Sequence, residues 1–177
     1  FNLDGLDIDD ETRGAAQYDA ARVLAMATAL AAPLHARGKV LSLDAFLYDV
    51  DPVKCVAVVG RCLPRGIESI VDWVNVMAYN VAEDASAAAA VYATATTTLF
   101  SQWAARLASP AKMVVGVCTE SSNPLYRGCA YGPGPSPDVV SSWVKWSATN
   151  AGGGMSIWAA SKDQFLNYTL TKMLVVQ

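Results

Sequence analysis

Short apolar runs that are rich in β-branched residues recur along the chain, each bounded by polar or turn-forming residues. Their starts lie roughly 35 to 40 residues apart, a spacing typical of a strand followed by a helix. The runs are NLDGLDID from Asn2, KVLSLDAF from Lys39, WVNVMAY from Trp73, KMVVGVCT from Lys112 and GMSIWAAS from Gly154. Each run is short enough and sufficiently rich in strand-forming residues to predict a β-strand.

Stretches with apolar residues at helical spacing lie between several of these runs. QYDAARVLAMATALAAPLHARG stops at Gly38, a natural C-cap, and a second stretch extends from the N-cap Asp84 to Pro110. PDVVSSWVKWSATN and DQFLNYTLTKMLVV predict shorter helices, and a short helix follows Asp51. SSNPLYRGCAYGPGPSP predicts a loop. The alternation predicts five parallel βα units in one α/β domain, residues 1–177, with no long linker.

Two folds fit five βα units: an open doubly wound sheet, or strands 4–8 of a (β/α)8 TIM barrel. The acids of DGLDIDDE distinguish them, because Asp7, Asp9 and Glu11 share one face of the strand while Leu6 and Ile8 share the other. In a doubly wound sheet helices cover both faces, and buried unpaired carboxylates are costly there. In a barrel the acids line the lumen and the leucine and isoleucine pack against helices, so the pattern favours the partial barrel.

Composition and charge restrict the classes of partner. The chain has 177 residues, of which 53% are hydrophobic and 16% charged, and its net charge is −3. This predicts a well-packed core and gives no indication of a nucleic-acid or anionic-membrane partner. The long uncharged stretch from Ala85 to Ala105 is interrupted by Ser, Thr and Gln, which favours a helix of a globular domain over a membrane span. A first residue that is not Met, within a predicted strand, predicts a processed or cropped chain.

The four cysteines indicate an oxidising compartment. Four cysteines allow three pairings, and the two short spacings favour Cys55–Cys62 and Cys118–Cys129; the alternative is four free core thiols. The spacing fits no metal-binding motif. Asn167 begins a glycosylation sequon, which agrees with a secreted protein.

DGLDIDDE resembles the DxxDxDxE signature of family-18 glycoside hydrolases, a group that includes chitinases, endo-β-N-acetylglucosaminidases and lectin-like relatives. VNVMAYN resembles the sixth strand of that family, MxYD, and GGGMSIWAASKD resembles the eighth strand. The positions that carry the resemblance are Asp4, Asp7, Asp9, Glu11, Met77, Tyr79 and Trp158. The resemblance implies that the first strand here is the fourth of the barrel, so that a missing segment or another chain completes it.

The resemblance also implies a reaction, the retaining hydrolysis of a β-1,4 bond next to N-acetylglucosamine. In that reaction the 2-acetamido oxygen of the substrate is the nucleophile. Glu11 is implied as the general acid, Asp9 as the residue that stabilises the acetamido group, and Asp7 as the residue that shares a proton with Asp9. Tyr79 is implied to donate a hydrogen bond to the acetamido oxygen. The resemblance implies no cofactor and no metal.

Four further positions are implied to contact the substrate: Asp4, Met77, Asn80 and Trp158, the last of which forms the floor under the sugar. Asn80 departs from the family, which usually has Asp there. Asp10 stands where chitinases often have an aromatic residue, and the resulting DIDDE resembles the endo-β-N-acetylglucosaminidase branch. Three functions therefore stay open: a chitinase, an N-glycan-cleaving enzyme, and a non-catalytic carbohydrate-binding or structural protein. Glu11 favours catalysis, because lectin-like relatives commonly lose it.

Several of these residues also fit roles other than catalysis. A calcium loop is disfavoured, because Thr12 and Tyr18 stand where an EF-hand needs Gly and Glu. Asp44 lies near the carboxyl end of the second strand. Its side chain faces either the lumen or the helices, and both orientations stay open. Three residues fall in the loop after the fourth strand, where substrate could pass: Glu120, Tyr126 and Tyr131. Four tryptophans are expected in packing or at the surface: Trp73, Trp103, Trp143 and Trp146.

Overall fold

A five-stranded parallel sheet forms the centre of the computed structural model, which describes residues 2–14 and 16–175. The strands follow one another across the sheet in chain order, β1-β2-β3-β4-β5, and every neighbouring pair is parallel. A doubly wound sheet reverses its strand order at a switch point, so the sequential order excludes that alternative. The strands are β1 Gly5–Ile8, β2 Val40–Phe46, β3 Trp73–Met77, β4 Met113–Cys118 and β5 Gly154–Trp158.

Helices connect the strands, and the helix predicted to begin at Asp84 does so. Asp19 accepts hydrogen bonds from two backbone amides at the start of α1, and Asp84 accepts one from Ala87 at the start of α2. In the described part of the chain, no helix has the length and apolarity needed to span a bilayer. The helices are α1 Ala20–His35, α2 Ala85–Thr94, α3 Leu99–Arg106, α4 Pro137–Thr149, α5 Ala160–Asp163 and α6 Thr169–Val175. Short helical turns occupy Cys55–Val59, Ile67–Ser69, Pro110–Lys112, Pro124–Tyr126 and Gln164–Leu166.

Two predicted helices are each divided in the structure. The helix predicted from Asp84 to Pro110 is wrong, because α2 ends at Thr94 and α3 begins at Leu99. The threonine hydroxyls of Thr97 and Thr98 bond back to the carbonyl of Thr94, which competes with the helical pattern. The last predicted helix is similarly interrupted, because Asn167 and the residue after it have positive φ angles.

The core lies between the helices and one face of the sheet. Strand residues of alternating position are buried on that face: Leu41, Leu43, Val74, Val76, Val115 and Val117. They belong to one apolar cluster with α1, α3 and α4, including Val23, Phe100, Trp103 and Trp143. The opposite face of β2 to β5 carries Ser42, Asp44, Asn75, Gly116 and Ser156. This one-sided arrangement places the polar strand face where a barrel has its lumen.

β1 forms an edge of the described sheet, and this affects one predicted core residue. Ile8 is buried as expected, whereas Leu6 is 43% exposed, so the prediction that both pack against helices is wrong for Leu6. Within residues 2–14 and 16–175, β1 pairs only with β2, and no helix covers the outer side of Leu6. The acids of β1 are also more exposed than the lumen residues of β2 and β3.

Both predicted disulfides are present. Cys55 pairs with Cys62 and Cys118 pairs with Cys129, which leaves no free cysteine in the described residues and excludes the alternative of four thiols. The first closes a loop between β2 and β3. The second ties the end of β4 to the loop that follows it. Both therefore restrain loops at the carboxyl end of the sheet, where the candidate site lies.

Candidate active site

Three carboxylates of the first motif extend along the open face of the sheet from the end of β1. Asp7 is in β1, and Asp9 and Glu11 follow it at intervals of two residues. Partial burial raises the pKa of Asp9, and the charges of Glu11 and Asp7 raise it further, while Arg61 acts in the opposite direction. Asp9 therefore takes up a proton more readily than an ordinary aspartate does.

Asp7 is held by two donors from neighbouring strands. The hydroxyl of Ser42 and the side-chain amide of Asn75 both donate to Asp7 Oδ1, the latter over 3.3 Å. The same Asn75 amide donates to Asp44 Oδ1 over 2.7 Å. Because Asp7 pairs with Ser42 and Asp44 pairs with Asn75 in strand register, this network crosses three strands. We call Asp7, Ser42, Asp44 and Asn75 the lumen network.

Ser42 and Asn75 were not among the sequence-predicted site residues. A signal for both was present in the alternation of the strands, since Ser42 lies two residues before Asp44 and Asn75 two residues before Met77. Because side chains alternate along a strand, a polar residue two positions from a lumen residue also faces the lumen and is a candidate site residue. What the sequence does not give is the register that joins them to Asp7.

Asp44 faces the open side of the sheet and contributes a fourth carboxyl group. Partial burial raises its pKa to about 6, with further contributions from the charges of Asp7, Asp9 and Glu11, and the hydrogen bond from Asn75 opposes the change. Asp44 therefore takes up a proton more readily than an ordinary aspartate.

Tyr79 lies close to this group of acids, two residues beyond β3. Burial raises its pKa, as do the charges of Asp44, Glu11 and Asp9, so the phenol stays protonated and is available as a donor. Gly116 of the neighbouring strand leaves room for the Tyr79 ring, because a Cβ there would lie 3.3 Å from Tyr79 Cε1. A cavity of about 190 Å³ is lined by Tyr79 together with Asp44, Asn75, Met77, Gly116, Ser156 and Trp158.

Trp158 ends β5 and forms the far side of that cavity. Its side chain is 57% exposed, which leaves aromatic surface open at the cavity. Met77 is buried at the end of β3 and lines the same cavity. Apolar ring faces of this kind pack against the C–H faces of sugars. The structure thus brings Tyr79, Met77 and Trp158 to one cavity, which Asp44 and Asn75 of the lumen network also line.

Two predicted substrate contacts have other surroundings. Asp4 precedes β1, and its fully exposed side chain lies 3.7 Å from Lys39 Nζ, so the structure does not bring it to the other acids. Its position differs in parity from Asp7 and Asp9, which places it on the other side of the strand. Asn80 has a φ of 56°, a conformation that asparagine tolerates, and its Oδ1 accepts a hydrogen bond from the amide of Tyr131. Asn80 therefore fixes the loop after β4 at the rim of the site.

Asp10 is held by contacts at the start of α1. Its carboxylate accepts hydrogen bonds from Thr12 and forms an ion pair with Arg22 at 2.7 Å. Burial would raise its pKa, but the hydrogen bonds from Thr12 and Arg22 outweigh that effect and lower it to about 2. Asp10 therefore joins the loop after β1 to α1.

The loop after β4 holds the three remaining candidates. Glu120 forms an ion pair with Arg127 at 2.7 Å, and Tyr126 stacks on Phe165 with ring centroids 4.7 Å apart. Tyr131 is 42% exposed and bonds to Asn80 through its backbone. Glu120 is thus engaged within the loop, whereas Tyr126 joins the loop to the turn Gln164–Leu166. Among the residues that the structure describes, no cluster of three or more His, Cys, Asp or Glu is arranged to hold a metal ion.

Comparisons with known proteins identify the fold. Neither a family sequence profile nor a curated protein matches the chain. A chitinase of Chromobacterium violaceum superposes with a TM-score of 0.66 at 13% identity over 99% of this chain and 67% of that one. A group IV chitinase of Ostrinia furnacalis gives 0.66 at 13% identity over 98% and 68%.

A family-18 chitinase of Cycas revoluta, solved in complex with (GlcNAc)4, gives a TM-score of 0.64 at 16% identity over 97% of this chain and 67% of that one. The chain thus has the fold of family-18 chitinases, and it spans about two thirds of their length. The predicted α/β fold, a portion of a TIM barrel, is confirmed.

Proposed function

We propose that this chain forms the catalytic part of a glycosidase that cleaves β-1,4 bonds of N-acetylglucosamine polymers with retention, by a substrate-assisted reaction. One observation carries the proposal. Asp9 and Glu11 lie near enough to Tyr79 to act on its pKa, and Tyr79 shares one cavity with Asp44, Asn75 and Trp158 at the carboxyl ends of parallel strands. Active sites of barrel enzymes form at this end. A Cycas revoluta chitinase with the same fold was solved with (GlcNAc)4, which supports an N-acetylglucosamine oligomer as the ligand.

Glu11 serves as the general acid and then as the general base. It protonates the glycosidic oxygen while the acetamido oxygen attacks the anomeric carbon, so that the bond to the leaving sugar breaks and an oxazolinium ion forms. Glu11 then takes a proton from a water molecule that opens the ring with net retention. Its exposed position permits contact with both the leaving sugar and water.

Asp9 stabilises the positive charge that develops on the acetamido group. Its raised pKa supports a role in which it shares a proton with Asp7 in the resting enzyme and carries negative charge when the oxazolinium forms. Ser42 and Asn75 keep Asp7 in place for this exchange. The lumen network therefore supplies orientation, while Asp9 and Glu11 contact the reacting atoms.

Tyr79 and Trp158 position the sugar at the cleavage point. The protonated Tyr79 hydroxyl donates to the acetamido oxygen and orients it for attack. Trp158 offers an exposed ring as the floor beneath the sugar, and the buried Met77 lines the same cavity. Asn80 stays a proposed contact through its amide nitrogen, because its oxygen is occupied by the amide of Tyr131.

A second candidate is cleavage between the two core sugars of N-glycans. It is favoured by the identity of residue 10, which is Asp where chitinases often have an aromatic residue. The Asp10 carboxylate pairs with Arg22. The third reading, a carbohydrate-binding protein without activity, is opposed by the presence of Glu11. The two disulfides support an extracellular location for either enzyme.

A further segment or another chain completes the barrel in this proposal. In the described part of the chain, β1 pairs only with β2 and β5 only with β4, so each has one unpaired edge. Leu3 and Leu6 beside β1 are exposed, as expected of residues that a neighbouring strand or helix would cover. The chitinases of the same fold are about one and a half times as long.

The test is a comparison of substrates with the purified protein. Chitotetraose and a high-mannose glycoprotein are incubated separately, and the anomer first released is read by proton NMR. The proposal predicts hydrolysis of chitotetraose with the β-anomer as the initial product. Release of glycans without hydrolysis of chitotetraose would support the second candidate, and binding of chitotetraose with no turnover of either substrate would support the third.

A further inference from the structure

Arg61 is a buried cation below the candidate site, in the loop that the Cys55–Cys62 disulfide closes. Its residue exposure is 3%, although arginine is rarely buried unless it is paired. Arg61 Nε donates to Asp49 Oδ2 over 2.9 Å, and both side chains are almost fully buried. The guanidinium also lies 4.8 Å from the ring centroid of Phe46, at the end of β2. Arg61 is therefore held rigidly from one side.

The other side of Arg61 reaches the loop between β1 and α1. Its Nη1 donates to the backbone carbonyl of Asp10, the residue between Asp9 and Glu11. A hydrogen bond to this carbonyl fixes the orientation of the peptide unit that joins Asp10 to Glu11. The position of the Glu11 backbone thus depends on a donor from a different loop, 51 residues further along the chain.

Three further contacts join the same two loops. The amide of Gly14 donates to the carbonyl of Val59 over 3.1 Å, and the hydroxyl of Tyr18 donates to the carbonyl of Cys62 over 3.1 Å. Gly60 packs so closely on the backbone of Gly14 that a Cβ there would collide with it. The disulfide closes the loop that provides all of these contacts.

We propose that Arg61 is a positioning residue for Asp9 and Glu11, and that the disulfide-closed loop Cys55–Cys62 is a brace for the β1–α1 loop. The inference rests on the proposed function, in which Glu11 transfers the proton. The guanidinium also contributes positive charge near Asp9. Arg61 contacts no substrate; it acts through the backbone of Asp10.

The geometry calls for arginine in particular. The planar fork of a guanidinium can donate to Asp49 and to the Asp10 carbonyl at once, with fixed directions. A lysine keeps the positive charge opposite Asp49, but its single ammonium lacks the reach and the direction for both acceptors. Arg61→Lys therefore removes the hydrogen bond to the Asp10 carbonyl and keeps a positive charge opposite Asp49.

The test compares Arg61→Lys with Arg106→Lys as a matched control. Arg106 also pairs with a carboxylate, Glu68, and donates to a carbonyl, that of Pro64, but it does not contact the β1–α1 loop. Arg61→Lys is expected to lower kcat on chitotetraose about 10- to 100-fold, because small misplacements of catalytic groups have effects of that size. KM should change by less than about 2-fold, since substrate contacts are intact. Arg106→Lys should change neither.

Hydrogen exchange provides a readout that does not depend on activity. Amides of residues 12–14 should exchange faster in Arg61→Lys than in the wild type, while those of β3 should not. Unchanged exchange in a folded Arg61→Lys variant overturns the brace whether or not the protein is an enzyme. Faster exchange with an unchanged kcat overturns the positioning role. If the wild type hydrolyses no substrate, the proposed function fails, and the positioning role with it.

A second variant covers the case in which Arg61→Lys does not fold. Arg61→Gln combined with Asp49→Asn removes both buried charges together, so that neither is left unpaired. The same loss of kcat and the same faster exchange at residues 12–14 are expected of this double variant. Wild-type kcat and exchange in the double variant would overturn the proposal.

Discussion

Replacing Asp44 by Asn tests the electrostatics of the lumen network. Asp44 lies in β2 beside Asn75, and the charges of Asp7, Asp9 and Glu11 all disfavour its ionisation. Asparagine has nearly the same shape and keeps an oxygen that accepts the hydrogen bond from Asn75. The substitution therefore removes a charge that the folded protein tolerates poorly, while leaving the geometry of the network in place.

The magnitude follows from the shift in pKa. The pKa of Asp44 rises from 3.8 to about 6, chiefly through burial. At about 1.4 kcal/mol per pKa unit, ionised Asp44 would cost the folded state about 3 kcal/mol. Because the side chain is partly solvated, screening reduces this to about 1 to 2 kcal/mol.

The pH dependence has a defined sign. Above pH 6 Asp44 is ionised in both the folded and the unfolded protein, and its charge destabilises the folded state fully. Below pH 4 it is protonated in both, and this destabilisation vanishes. Asp44→Asn should thus raise the free energy of unfolding at pH 7 by about 1 to 2 kcal/mol, and raise Tm by about 2 to 4 °C for each kcal/mol. Near pH 3.5 the variant and the wild type should be about equally stable.

Urea unfolding at both pH values measures the difference, with Glu83→Gln as the control. Glu83 is an exposed acid before α2, outside the lumen network, and its substitution should leave stability unchanged at either pH. A loss of stability in Asp44→Asn at pH 7 would refute the reasoning. So would a gain of equal size at pH 7 and pH 3.5.

Three further predictions concern single side chains. Tyr79→Phe removes a donor near the acids and should lower kcat on chitotetraose about 10²-fold with little change in KM, as measured by steady-state kinetics. Trp158→Ala should raise KM about tenfold, corresponding to about 1.4 kcal/mol, because it removes the exposed ring that underlies the sugar; an unchanged KM would contradict this. Trp103→Phe should lower the free energy of unfolding, measured in urea, by about 1 to 3 kcal/mol more than Trp143→Phe does. Trp103 Nε1 donates to Leu47 O, whereas the buried Trp143 Nε1 has no partner in the described residues; equal costs would contradict the assignment.

The fold could be predicted because the sequence signals for its strands, helix starts and disulfides each lie within a short segment of the chain. Each strand carries its own alternation, and the acids at Asp7 and Asp9 already show that one face of β1 is not covered by helices. The cap at Asp84 is likewise a local signal, and Cys55 and Cys62 are close in sequence. The exposure of Leu6 has no such local signal, since it depends on what adjoins the edge of the sheet.

The rest could not be predicted because it depends on contacts between distant segments. The donors of Asp7 follow from strand register, which no single strand specifies. The bond from Arg61 to Asp10 spans 51 residues. The break between α2 and α3 arises where threonine hydroxyls compete with the helix, although the apolar pattern continues through it. In each case a tertiary or side-chain interaction overrides the local pattern.

The most direct test of the proposed function is the turnover of chitotetraose by Glu11→Gln. Glutamine keeps the shape of the side chain but cannot donate the proton, so kcat should fall by about 10² to 10⁴ while the Kd from calorimetry stays close to that of the wild type. Glu83→Gln, changed in the same way at an exposed site, should retain full activity. If Glu11→Gln hydrolyses chitotetraose as fast as the wild type does, Glu11 is not the general acid and the proposed mechanism is wrong.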